Sequence, residues 1–224
     1  MSESNPTSGT AEERPGIAGP EQHPAGAGAG AGAGAPNRLS SGGPRSAAII
    51  IASTRAAGGV YSDRTGPVIA EWLAARSFTV GPPIVVPDGP AVGAALRAAT
   101  GRSSNPAGPA GRADSDDAPP VVVDLVLTSG GTGISPTDRT PQATAEILDY
   151  DIPGLAAAIR AQGSDKVPTA VLSRGLAGVS GRTLVVNLPG STGGVKDGLT
   201  VLDRVLDHAL DQLHGGDHEP RGGS

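Results

Sequence analysis

Directly after the apolar run VVVDLVL the chain carries Thr128-Ser129-Gly130-Gly131-Thr132-Gly133, a loop of three glycines interleaved with hydroxyl side chains. Glycines let backbone N–H groups come close to an anion, and the hydroxyls add donors, so such a loop can cradle a phosphate. It is not a Walker A loop, because no Gly-Lys-Ser/Thr follows, and Pro136 stands where a dinucleotide fingerprint needs its third glycine. The same residues also make an ordinary strand-to-helix turn, and the loop alone does not choose between the two. Two aspartates stand ahead of helix starts, Asp88 before Gly89-Pro90 and Asp138 before Thr140-Pro141. Each can simply cap its helix, or the pair can hold Mg²⁺, which uses one or two carboxylates and substrate phosphates. Asn187-Leu188-Pro189-Gly190-Ser191 leads into the last helix, whose free amides suit an anion. Ser173 can donate to a polar ligand or to the backbone. Arg174 reads as a surface or subunit-contact residue and Lys196 as a solvated one.

What is missing narrows the chemistry. The chain has 224 residues, no cysteine and four histidines, and all four lie at its margins: His23, His208, His214 and His218. Thiolate zinc sites, thiol nucleophiles and disulfides are excluded, and a His-based triad or general acid–base enzyme is disfavoured. The net charge is −5 and the aromatics are only Tyr61, Trp72, Phe78 and Tyr150. Nucleic-acid binding needs a basic face and often stacking aromatics, so a small-molecule partner is expected instead. The longest apolar run, Ala47 to Ala52, is too short to span a bilayer, and a cytoplasmic location is expected.

Strands alternating with helices must position these groups. Strands are expected at Ala47–Ala52, Thr79–Val86, Val121–Leu127, Thr169–Leu172 and Thr183–Leu188. Helices are expected near Pro67–Arg76, Pro90–Ala99, Thr140–Leu148 and Gly154–Ala161, with a last one from about Gly194 carrying Leu199, Leu202, Leu206, Leu210 and Leu213. Thr140 is expected as a helix N-cap and Pro141 as its first residue. The pattern predicts an α/β fold, a three-layer sandwich around a mostly parallel sheet in a single domain. Ligands of such sheets bind at the carboxyl ends of strands. Ser53–Asp63, Asp88, Thr128–Asp138 and Pro189–Gly194 all follow strands, so they are expected to share one edge.

The domain is expected over residues 46–214, with a flexible Gly/Pro/Ser/Asp-rich insertion at 100–120. The Ala/Gly/Pro-rich stretch 1–45 has too little apolar surface to offset its ordering entropy and is expected to be a disordered arm, as is the tail 215–224.

Taken in order, GVYSD (59–63), VPD (86–88), LTSGGTGISPTDRTPQAT (127–144), IPG (152–154), VPTAVLSR (167–174) and NLPGS (187–191) resemble the MogA/MoaB-like molybdopterin adenylyltransferases over about Ala47 to Leu213. The resemblance implies the molybdopterin-binding-type fold, usually a homotrimer, and a Mg²⁺-dependent reaction. In it the phosphate of molybdopterin attacks the α-phosphorus of ATP, giving adenylylated molybdopterin and pyrophosphate, with hand-over to a molybdenum insertase as a further implication. By position, the family's two essential aspartates fall on Asp88 and Asp138, which the resemblance makes catalytic and metal-positioning residues. Its ligand loop falls on Ser129, Gly130, Gly131, Thr132 and Gly133, with further pocket residues at Ser173, Asn187, Gly190 and Ser191. Gln142 replaces a frequent acid, Thr192-Gly193-Gly194 replaces a Pro-containing stretch, and IAST (51–54) lacks the usual Ser-Asp-Arg. The alternative is a relative that binds molybdopterin or oligomerises without catalysis. An enzyme of the related insertase or competence-damage type fits the TPQAT and LSR elements less well.

Overall fold

The computed structural model describes residues 44–59, 62–102 and 122–215. The expected arm (except its last two residues), most of the 100–120 insertion, the tail from 216 onward, and Val60 and Tyr61 lie outside the described residues. Seven strands form one sheet: β1 (Ser46–Ala52), β2 (Thr79–Val80), β3 (Ile84–Val86), β4 (Leu125–Ser129), β5 (Tyr150–Asp151), β6 (Ala177–Ser180) and β7 (Thr183–Leu188). Their order is β2-β1-β4-β7-β6-β5, with β3 following β2 along the same side of β1. The pairings of β1 with β2, β3 and β4, and of β4 with β7, are parallel; β6 pairs antiparallel with both its neighbours.

Both sheet faces are covered, and residue types alternate accordingly. Ile49 and Ile51 of β1, Leu125 and Leu127 of β4, and Leu184, Val186 and Leu188 of β7 face one core. That core is closed by α2 (Thr65–Ala74), α5 (Pro153–Ser164), α6 (Thr192–Leu202) and α7 (Leu206–Leu213). Ile50, Val126 and Val185 face the other, under α3 (Pro90–Thr100) and α4 (Thr140–Ala145). The contiguous β-branched runs of the sequence are what a sheet buried on both faces requires. Each fully buried Ile or Leu side chain contributes about 1.5–3 kcal/mol of transfer free energy.

Several expected elements are redrawn. The strand expected at Thr79–Val86 is broken by Gly81-Pro82-Pro83: Thr79 pairs with Ser46 but Ile84 with Ile50, so one extra residue is accommodated where two prolines cannot donate to the ladder. The strand expected at Val121–Leu127 starts later, because Val123 N donates to Ala99 O and the Asp124 carboxylate accepts from Ser46 N at 2.6 Å. Thr169–Leu172 is not a strand but lies in a 3₁₀ turn, Pro168–Leu172. The last helix is two, separated at 203–205, with α6 beginning at Thr192. Strands β5 and β6 were not expected, nor was the short helix α1 (Thr54–Ala57). Asp63 fixes the start of α2, accepting from Thr65 N at 2.8 Å and Gly66 N at 2.9 Å.

A surface ion pair ties the end of α3 to the turn between β6 and β7. Asp149 accepts from Arg102 through Oδ1 and from Gly181 N at 2.7 Å through Oδ2. The Arg102 hydrogen bond first, then the Gly181 amide, holds its carboxyl below the usual carboxylate range. A depressed folded pKa adds stability above the unfolded value of about 3.9, and that stability disappears as pH falls through the folded value. The side chain is 43% exposed, so solvent screening keeps the effect small. The melting-temperature gap between wild type and Asp149→Asn is therefore expected to be constant above about pH 5 and to close at lower pH. A gap that persisted unchanged in strong acid would refute this.

Candidate functional site

Because β1, β3, β4 and β7 are mutually parallel in the sheet, their carboxyl ends and following loops share one edge, as the sequence led us to expect. The glycine loop after β4 sits in its middle. Gly130 has φ +96°, and a β-carbon there would lie 2.2 Å from the carbonyl oxygen of Ala52, at the end of β1. On its other side Gly190 packs so closely that a β-carbon added at Gly190 would stand 3.2 Å from the Gly130 Cα. Gly130 N donates to Leu188 O at 3.3 Å, and Ser129 Oγ donates to Pro189 O at 2.9 Å. Only a residue without a side chain threads between two backbones in this conformation.

The next glycine meets the carboxylate. A β-carbon at Gly131 (φ +62°) would lie 2.3 Å from Asp88 Oδ1 and 2.4 Å from Thr140 Oγ1. These two oxygens are buried and have no hydrogen-bond partner among the described residues. Buried polar atoms are almost always paired, so two orphans at one glycine make this point the candidate place for a ligand. Asp88 is otherwise attached only loosely: its Oδ2 accepts from Thr54 Oγ1 at 3.4 Å. Thr140 is not the N-cap; Arg139 holds that position and Thr140 is the first helical residue, with its backbone N donating to Gly131 O.

Asp138 meets the same loop two residues on. A β-carbon at Gly133 would lie 2.7 Å from Asp138 Oδ2, which accepts from Ser135 N at 3.2 Å. Two residues of chain span at most about 7 Å, so Asp88 and Asp138 flank one short stretch of backbone. Asp138 also lines a cleft of about 270 Å³ with Ser135, Arg139, Gln142 and Arg174. Arg174 is half-buried: its N donates to Thr132 O, Nε to Gly133 O and Nη2 to Asp138 O.

Beside this arrangement stand the relatives. Residues 113–208 match a family described as a probable molybdopterin binding domain. The molybdopterin biosynthesis Mog protein of Mycobacterium ulcerans is 54% identical, with a TM-score of 0.66 over 78% of this chain and 99% of that one. A molybdopterin adenylyltransferase of Escherichia coli is 30% identical over 156 residues, 67% of this chain and 70% of that protein. The chain belongs to the MogA/MoaB-like family of molybdenum cofactor biosynthesis proteins. A molybdenum cofactor biosynthesis bifunctional protein of Synechococcus elongatus is 34% identical over 173 residues, 77% of this chain, and the chain spans only 48% of its length.

Within this MogA/MoaB-like protein, the remaining expected site residues take different places. Ser129 and Thr132 are buried, and Gly190 and Ser191 are exposed at the head of α6, where Ser191 Oγ caps the helix by accepting from Gly194 N at 3.1 Å. Asn187 is 3% exposed and fully committed: Nδ2 donates to Thr128 and Thr144 hydroxyls at 3.0 and 2.9 Å, and Oδ1 accepts from Leu176 N at 3.0 Å. It braces β7 to β4 and α4 behind the loop. Ser173 lines a second cleft, of about 320 Å³, with Asp151, Arg160 and Arg174. Sequence reasoning did not place Thr140, Arg174 or Thr54 beside the loop; the first contributes the oxygen at Gly131, the second bonds to the carbonyls of Gly133 and Asp138, and the third bonds to Asp88.

The far edge of the sheet is different. His214 pairs with Asp124, ahead of β4, at 2.9 Å and contacts Arg182, which places it away from the glycine loop. Among the described residues no group of three or more His, Cys, Asp or Glu side chains converges, and no helix is long and apolar enough to cross a membrane.

Proposed function

We propose that this chain transfers AMP from ATP to the phosphate of molybdopterin, releasing pyrophosphate. The observation that carries the reading is the pair of buried, unpartnered oxygens of Asp88 and Thr140 at Gly131, with Asp138 two residues further along the same loop. The donor set fits Mg²⁺, which takes one or two carboxylates and completes its shell with water and phosphate oxygens. Asp88 and Asp138 would hold the ion or its waters, and when bound it offsets the charge that two phosphate-bearing reactants bring together. Two unit charges about 4 Å apart repel by about 4 kcal/mol at a surface-like effective dielectric, so this offset is of the size the reaction needs.

The rest of the work is alignment. The molybdopterin phosphate is a monoester, largely ionised at neutral pH, so its oxygen bonds to the α-phosphorus without a general base, and pyrophosphate departs as the bond from the α-phosphorus to the oxygen bridging it to the β-phosphorus breaks. Glycines 130, 131 and 133 present backbone to the phosphates, Gly190 and Ser191 set the α6 N-terminus beside them, and Asn187 fixes the floor. Ser173 stands at the wall towards the second cleft. The protein is then a cytoplasmic Mg²⁺- and ATP-dependent enzyme, a homotrimer that hands its product to an insertase.

Purified protein given radiolabelled ATP, molybdopterin and Mg²⁺ is expected to form adenylylated molybdopterin and one equivalent of pyrophosphate, with none formed when molybdopterin or Mg²⁺ is withheld. Tight molybdopterin binding without any AMP incorporation would overturn the transferase reading in favour of a binding role.

A further inference from the structure

Arg174 hydrogen-bonds two separated points of one loop, the carbonyls of Gly133 and Asp138. The segment 133–138 leaves the sheet edge, exposes four consecutive residues (Ile134, Ser135, Pro136 and Thr137) and returns. Inside the excursion the bonds among the described residues are short-range: Asp138 N to Ser135 O at 3.0 Å, Ser135 N to Asp138 Oδ2, Thr137 N to Ser135 Oγ, and the Ser135 and Thr137 hydroxyls to each other. Its two ends are joined across the gap by one side chain: Arg174 Nε donates to Gly133 O at 2.7 Å and Nη2 to Asp138 O at 2.5 Å. The Arg174 backbone N adds a bond to Thr132 O at 2.8 Å.

A guanidinium is a rigid planar fork, so two carbonyls held by it are fixed relative to each other, which a flexible ammonium cannot reproduce. The cation engages the carbonyl of Asp138 and not its carboxylate, whose Oδ2 accepts from Ser135 N, so the carboxylate keeps its negative charge unpaired with the guanidinium while its backbone is pinned. Arg174 also forms the wall shared by the two clefts beside Asp138 and Ser173.

We propose that Arg174 is the positioning residue that sets the Asp138 carboxylate for the transfer step, acting through the backbone of 133–138. The proposal rests on the function given above, and it predicts a pattern that loss of a merely structural contact would not produce. In the full-length protein, Arg174→Gln is expected to lower kcat about 10- to 100-fold and to raise the Mg²⁺ concentration for half-maximal rate by a similar factor. The KM for ATP is expected to stay within a few-fold of wild type. Arg174→Lys, able to reach only one of the two carbonyls at a time, is expected to fall between. Millimolar guanidinium is expected to restore part of the rate of Arg174→Gly.

Hydrogen exchange gives a readout independent of turnover. The amides of Ser135 and Asp138 are expected to exchange faster in Arg174→Gln and Arg174→Lys, while those of β1, β4 and β7 keep wild-type protection. Unchanged exchange at Ser135 and Asp138, or an unchanged Mg²⁺ requirement in a folded variant, overturns the positioning role. Wild-type protein that exchanges as expected but turns nothing over would instead overturn the transferase reading and leave the clamp standing. If Arg174→Gln loses protection throughout the sheet, Arg174→Lys decides: the same global loss there makes the residue structural and sinks the proposal.

Discussion

Asp138→Asn and Asp88→Asn are each expected to lower kcat for AMP transfer by about 100- to 1,000-fold, the range found when one preorganised polar group aimed at developing charge is removed. Asparagine keeps the shape of the side chain and loses the charge that attracts a divalent ion. Stability should respond in the opposite sense from activity. Asp88 Oδ1 is buried without a partner, and a buried unpaired acceptor costs free energy, so Asp88→Asn should leave the melting temperature unchanged or raise it. Asp149→Asn, which removes a satisfied surface carboxylate, should do the reverse: slight loss of stability and no loss of rate. The Asp88/Asp138 double variant is expected to be hardly slower than the worse single, since groups that hold one ion act as a unit. Wild-type rates in both single variants, measured with Mg²⁺ varied, would place the chemistry elsewhere.

The placement of Asp88 and Asp138 on one sheet edge was legible in the sequence from two simple facts, parallel strands and loops at their carboxyl ends; the role proposed for the pair came from the resemblance. β1, β4 and β7 announce themselves as contiguous β-branched runs, and the helical leucines at 199, 202, 206 and 210 point inward as spaced. β5 and β6 could not be read in this way. Tyr150–Asp151 is two residues long, and Ala177–Ser180 is strand only because β7 pairs with it. PTAVL (168–172) has strand-like composition, yet Pro168 and the local bonds Ala170 N to Val167 O and Ser173 N to Ala170 O wind it into a 3₁₀ turn. The contacts of Thr140 and Arg174 were out of reach for one common reason. A Thr-Pro pair starts many helices and an arginine after an apolar stretch is usually solvated. What gives the arginine its place here is a pair of carbonyls 36 and 41 residues away in the chain, those of Asp138 and Gly133, and the threonine oxygen faces the same glycine as Asp88, 52 residues away. Local pattern carries no information about such contacts.

The two adjacent glycines of the loop should separate fold from function when each is changed to alanine. Both have positive φ, +96° at Gly130 and +62° at Gly131, so both variants are forced into a conformation that L-residues avoid. At Gly130 the added carbon would meet the backbone oxygen of Ala52 at 2.2 Å, and neither β1 nor β4 can retreat without breaking the parallel ladder that joins Ile51 to Ser129. Strain and overlap together should cost about 3 kcal/mol or more, or roughly 6–12 °C in melting temperature for a domain of this size. At Gly131 the strain is near the ordinary left-handed cost of about 1–2 kcal/mol, because the two nearest atoms met are the tips of Asp88 and Thr140, which can swing aside, and the third, Thr140 Cβ at 3.3 Å, need give only slightly. Swinging aside is what the chemistry cannot tolerate: displacing a positioning group by about 1 Å can cost about 100-fold in rate. Gly131→Ala should therefore remain folded, melt only a few degrees early, and lose at least about 100-fold in AMP transfer. Gly130→Ala should show its main deficit in melting temperature and soluble yield. Near-normal transfer by a folded Gly131→Ala would mean that Asp88 and Thr140 do not converge on a reacting phosphate, however closely they converge on the glycine.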